Sequence, residues 1–150
     1  MTQPIDFSPT TARHHLPLLV AGQAQKEFFV NEALARIDLL LCPVVEGELA
    51  APPSQPLAGQ CWVVAPSPSG SWIGQETALA CWDGAQWTFA FPQTGQTAYD
   101  LSTDARLCFD GAWQRALLPP APQSGTTVDT EARAALTAVL EILRTFKLAA

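Results

Sequence analysis

The sequence predicts an α+β protein. It has an N-terminal helix, a small antiparallel Trp-rich β-meander domain, and a C-terminal heptad helix placed in a homo-oligomeric bundle. Three observations predict this. Apolar residues recur at helical spacing near both ends of the chain. Asp-Gly pairs set between aromatic runs mark tight hairpins in the middle. Pro-rich stretches separate the zones. In chain order the parts are an extended arm (1–21), a helix (22–42), a Pro-rich linker (43–58), a β domain (59–118), a second linker (119–127) and an oligomerisation helix (128–148).

The arm is read as extended because Leu16 precedes Pro17, and a residue before proline avoids the helical region. The first helix carries Val30, Ala33, Leu34, Ile37, Leu40 and Leu41 as one apolar stripe, and Cys42-Pro43 ends it. Ala50–Pro56 makes a stiff connection. Gln60–Ala65 reads as a strand. Ala78–Trp82, Asp83-Gly84 and Ala85–Phe89 read as a hairpin, since Gly accepts the positive φ of a tight turn. The string recurs at Leu107–Trp113. Gly59-Gln60 and Gly95-Gln96 precede the two copies, so the β zone looks like a degenerate duplication.

In the last helix Asp129 is the N-cap, Glu131 sits in the first turn, and Arg144 and Lys147 sit in the last. Ala132, Leu136, Val139, Leu143 and Phe146 form a heptad seam, widened by Leu140. These six residues are the expected oligomer interface. The alternative is a helix folded back onto the β zone.

Composition narrows the function. The 150 residues hold 8 Lys+Arg and 14 Asp+Glu, a net charge of −6, and 15% charged residues against a usual ~25%. An acidic chain with so few cations is a poor nucleic-acid binder. No apolar run of ~18 residues is present to span a bilayer, so no membrane partner is expected. Residues 49–128 hold five acids and two bases. A surface this bland either lies against other protein or is a polar Gln/Ser/Thr β surface.

Little chemistry is written in the residues. Cys42, Cys61, Cys81 and Cys108 form no C-x-x-C and have no His at metal-ligand spacing. Cys61, Cys81 and Cys108 read as small buried apolar residues, and without an evident export signal no disulfide is expected. His14-His15 lies in the arm, where adjacent side chains point apart. No nucleophile-elbow, P-loop or dinucleotide motif occurs. The expectation is no enzyme, no cofactor and no metal. Trp62, Trp82 and Trp87 read as core or subunit interface. Trp72, in a Gly-flanked loop, is the candidate exposed ring, and with Tyr99 it is the candidate glycan contact.

His15–Glu27, followed by Asn31-Glu32-Ala33-Leu34 and Ile37-Asp38, resembles the LPLL-AGQAQKE…NEAL…D signature of a domain of unknown function. That family occurs in alphaproteobacterial phages, prophages and gene transfer agents. The Gly59–Val64, Gly70–Gly74 and Ala80–Trp87 strings resemble its downstream part, so the likeness covers about 15–117. The resemblance implies a virion appendage: a spike or fibre base or adaptor that attaches a host-recognition module, assembled in the bacterial cytoplasm. It implies a homo-oligomer, trimer first and pentamer second, with capsid or tail proteins as partners. Leu16, Leu18, Leu19, Gln23, Gln25 and Lys26 would make the virion attachment. A small module that binds host polysaccharide is the alternative.

Overall fold

The computed structural model describes residues 9–20, 22, 26–120 and 129–148. The chain divides into two compact units, Met1–Pro92 and Gln93–Ala150. The β zone expected as one domain over 59–118 is therefore shared between two units. Each copy of the duplicated hairpin string has its own.

In the first unit, helix α1 spans Lys26–Leu40, followed by β1 (Val44–Val45), β2 (Glu48–Leu49), β3 (Cys61–Val64), β4 (Leu79–Trp82) and β5 (Trp87–Ala90). One sheet has the order β2-β3-β4-β5. β2 runs parallel to β3, with Glu48 opposite Val63, and the other pairs are antiparallel, with Trp62 opposite Ala80 and Trp82 opposite Trp87. All four residues of β3 are buried. A strand covered on both faces reads as an unbroken apolar run, which is what Cys61-Trp62-Val63-Val64 is. Trp62, Val64, Trp72, Ala78 and Ala80 form a buried cluster with Trp87 and Phe89 packed against it.

Cys61 and Cys81 face each other across β3 and β4, with Cα atoms 4.1 Å apart, and are joined as a disulfide. This corrects the expectation of no disulfide. That expectation rested on compartment, whereas strand register decides whether two thiols meet. Cys42 and Cys108 are free and exposed.

The arm is not extended over its described part. Thr11 N–H donates to Leu16 O (3.0 Å), Leu18 N–H donates to Pro9 O (2.9 Å), and Thr10 pairs with Pro17. Pro17 fits here because a bridge at a chain edge needs no N–H from it.

In the second unit, β6 (Thr97–Asp100), β7 (Ala105–Phe109) and β8 (Trp113–Arg115) form an antiparallel meander, and α2 spans Thr130–Thr145. Asp129 caps α2, its side chain accepting from Ala132 N–H at 2.9 Å. Asp100, 1% exposed, ties the meander together. Its carboxylate accepts from Ser102 N–H, Ser102 Oγ and Thr103 Oγ1, and pairs with Arg115 at 2.5 Å.

The duplication extends to hydrogen bonds. Gln60 Oε1 accepts from Leu57 N–H and Gln96 Oε1 from Gln93 N–H. Gly59 N–H donates to Trp82 O and Gly95 N–H to Phe109 O; Trp82 N–H and Phe109 N–H donate back to the Gln60 and Gln96 carbonyls. Gly59 and Gly95 take φ of 90° and 86°, which L side chains rarely adopt. Trp82–Trp87 and Phe109–Trp113 then meet as inclined ring pairs across the two Asp-Gly turns, with centroids 5.1 and 5.4 Å apart. The same Gly-Gln and Asp-Gly chemistry builds both hairpins.

Candidate functional site: an arm clamp and two outward helix faces

The inward face of α1 is polar. Glu27, Asn31 and Asp38 are buried or half-buried, and their spacing of 4 and 7 places them on one side of a helix. Asn31 acts as a strand partner for the arm: Oδ1 accepts from Leu19 N–H (2.8 Å) and Nδ2 donates to Leu19 O (3.0 Å). Asp38, 4% exposed, receives Thr11 Oγ1 (2.8 Å), Arg13 N–H (2.9 Å) and His14 N–H (2.7 Å). His14 Nδ1 lies 3.2 Å from the same carboxylate. Burial works to raise the Asp38 carboxyl, but these hydrogen bonds outweigh it and hold its pKa below the ordinary value. Arg13 donates to Leu39 O and Cys42 O, both at 3.1 Å, placing a cation on carbonyls at and just beyond the C-terminal end of α1.

This clamp explains why the apolar stripe of α1 does not face inward. A short hairpin cannot pair all its own backbone, and unpaired buried groups are costly. The polar face that satisfies them must turn inward. Val30, Ala33, Ile37, Leu40 and Leu41 are then exposed, with Leu34 half-buried, and Phe29 beside them is 78% exposed. Among the expected attachment residues, Leu16, Leu18 and Leu19 are half-buried in the clamp, Lys26 is exposed, and Gln23 and Gln25 lie outside the described residues.

The second helix also presents an apolar face. Ala132, Leu136, Val139 and Phe146 are exposed and Leu143 is half-buried. Leu140, expected at the oligomer interface, is 9% exposed and packs within the chain; one residue past Val139, it stands to the side of the seam's centre line. The end of α2 is anchored by Arg106 N–H to Lys147 O at 2.8 Å and by an ion pair of Lys147 with Asp104. Tyr99, a candidate glycan contact, is half-buried, and its hydroxyl donates to Asp104; that bond pushes the phenol pKa up.

Trp72, the other candidate, is 0% exposed. A 3₁₀ turn at Gly70–Trp72 folds the loop inward, and the ring lies 5.1 Å from Trp87 and 6.5 Å from Trp62. Flanking glycines suggested an open loop, but a unit this small needs a large ring to fill its centre. In this conformation Trp72 has no surface to offer a sugar. A groove of about 1260 Å³ does run between the arm, α1 and β4–β5; Leu18, Phe28, Asn31, Cys81, Trp82 and Trp87 line it. Among the described residues no group of three or more His, Cys, Asp or Glu is placed to hold a metal, and no helix is long and apolar enough to cross a membrane.

Residues 30–114 match the model of a family described as a protein of unknown function, DUF2793. The chain belongs to this family. No curated protein and no solved structure matches it. The DUF2793 region opens inside α1 and closes on β8, so it holds Asn31, Asp38, the Trp cluster and both hairpin copies. The arm's half of the clamp and all of α2 lie outside the matched residues. Apolar periodicity does not carry the clamp, because its residues are polar. The polar triplet Glu27, Asn31 and Asp38 on one helix face was the available signal.

Proposed function

We propose that this chain is a structural assembly component that works as a homo-oligomer, with no catalytic role. In this reading it is a base or adaptor that joins a host-recognition appendage to a phage or gene-transfer-agent particle. The observation that carries it is the α2 seam: four of its five heptad residues stand exposed, although such side chains normally lie inside a helix bundle. A trimer, the first expectation for a fibre, comes before a pentamer, which would match the fivefold symmetry of a capsid vertex. The particle setting rests on the LPLL-AGQAQKE…NEAL resemblance. Static light scattering of the purified chain tests the core of the proposal. A mass of three or more chains that collapses in Leu136→Glu/Val139→Glu is expected; a wild-type protein that stays monomeric at micromolar concentration refutes it.

A second reading, glycan binding, has one observation in its favour. Half-buried Trp82 and Trp87 line the groove beside the polar Asp83 and Gln86. Aromatic rings next to amide and carboxylate groups suit a sugar. It predicts that host capsule polysaccharide changes the Trp fluorescence and that Trp82→Ala abolishes the change; an unresponsive, correctly assembled protein removes it.

A further inference from the structure

We propose that the groove between α1 and β5 is a docking site for an extended segment of a partner protein, which adds to the free edge of β5 and sets a Lys or Arg on the Glu27 carboxylate. This goes beyond the homo-oligomer reading and does not depend on it. The residues that build the groove all belong to the first compact unit. Observations on two different elements carry the proposal.

The first is an unmet carboxylate. Glu27 lines the groove and is 9% exposed. Its Oε1 accepts from Gly22 N–H at 3.3 Å, whereas its Oε2 is buried with no hydrogen-bond partner. Native chains rarely leave a buried acceptor unmet, and a charged one is the most costly to leave so. Among the described residues no cation of the chain pairs with it: Lys26 is exposed, and Arg36 is held by Glu32 at 2.6 Å. The arm already occupies Asp38. The groove therefore keeps negative charge at Glu27 and Asp83, beside the rings of Trp82 and Trp87, which also favour a cation.

The second is an open strand edge. β5 ends its sheet. Asp83 N–H donates to Gln86 O, so these two form a hydrogen-bonded pair, and such pairs alternate along an antiparallel ladder. The N–H and C=O groups of Trp87 and Phe89 thus point away from β4. Both residues line the groove, and their edge groups meet no backbone partner among the described residues. The arm bonds to itself, to Asn31 and to Asp38 instead. Trp87-Thr88-Phe89-Ala90 carries neither charge nor Pro, the devices that guard an open edge. Strand addition meets this edge and leaves alternate side chains for the walls. Pairing with the β5 of a second copy would leave Glu27 unmet, since β5 holds no cation. A neutral sugar brings neither a charge for Glu27 nor a repeating N–H and C=O pair for the edge.

The probe is a displayed library of random seven-residue peptides, selected on the full chain. Enriched peptides should carry Lys or Arg among β-branched or aromatic residues. Labelled with fluorescein, they should bind by anisotropy, and Glu27→Gln, which puts an NH₂ donor where Oε2 stands, should weaken binding at least about tenfold. The free Glu27→Gln chain should melt no lower than wild type, because Oε2 has no partner to lose. N-methylation of the peptide should abolish binding at one set of alternate residues and spare it at the other. The inference is overturned if no cationic peptide is enriched, if Glu27→Gln binds equally well or melts lower when free, or if both methylation sets act alike. Host capsule polysaccharide that shifts the Trp emission where no peptide binds gives the groove to the glycan reading. None of these results bears on the α2 seam, which light scattering tests separately.

Discussion

Asp38 shows how one side chain can organise the N-terminal third of the chain. It gathers two backbone N–H groups and a hydroxyl from a segment that has almost no regular structure of its own. Removing it leaves those donors without their acceptor, the buried Thr11 hydroxyl among them, so Asp38→Ala should cost about 2–3 kcal/mol in chemical denaturation. The linkage has a definite sign. The folded pKa is depressed, so the stabilisation is present above the unfolded value near 3.8 and is lost as pH falls through the folded pKa. Asp100 behaves alike, since hydrogen bonds from Ser102 and Thr103 and the Arg115 charge outweigh burial there. Acid titration followed by circular dichroism should therefore show loss of stability only below about pH 4, and in Asp38→Ala that acid limb should be shallower. Trp72 is the other decisive residue. With no exposed surface and two ring neighbours, Trp72→Ala should cost about 3–5 kcal/mol, read as a lowered unfolding midpoint.

Hairpins are the elements the sequence specifies best. Asp83-Gly84 and Asp110-Gly111 each stand where a turn was expected, with Asp83 Oδ1 accepting the Ala85 and Gln86 N–H groups at 2.7 Å. The Asp110 turn closes through Asp110 N–H to Ala112 O at 3.1 Å. The cross-strand disulfide adds a constraint to β3 and β4 that composition did not announce. It closes a loop with a sequence separation of 20 residues and encloses the Trp72 turn. Reduction should lower stability by about 3 kcal/mol through the freed unfolded chain, with a correspondingly lower melting temperature. Thiol titration of the denatured, unreduced protein should find Cys42 and Cys108 only; four reactive thiols would refute the pairing. Helices were legible as elements but not as faces. α1 and α2 both lie where periodicity put them, yet periodicity says which residues share a side and not which way that side turns.

For the whole molecule, half of the exposed large apolar side chains among the described residues stand on the two helices. Phe28, Phe29, Val30, Ile37 and Leu40 stand out on α1, and Leu136, Val139, Ile142 and Phe146 on α2. In the charge-poor middle the tryptophans largely fill their own unit. If the α2 face is covered by copies, folding and association are linked, and the melting temperature should rise with protein concentration across a dilution series in scanning calorimetry. A concentration-independent midpoint would speak for a chain that is stable alone.

The sequence by itself determined the α+β class, the two helices, the Asp-Gly turns and the repeated Gly-Gln chemistry. All of these are local: a cap, a positive φ or a period acts within a few residues. The tertiary structure alone decided three things. It turned α1 with Glu27, Asn31 and Asp38 inward, because the arm's backbone needed partners. It buried Trp72 inside rather than leaving it for a ligand, because the core needed volume. It set Cys61 against Cys81, because strand register brought them together. Each outcome depends on residues far apart in the chain, and no local pattern carries that information.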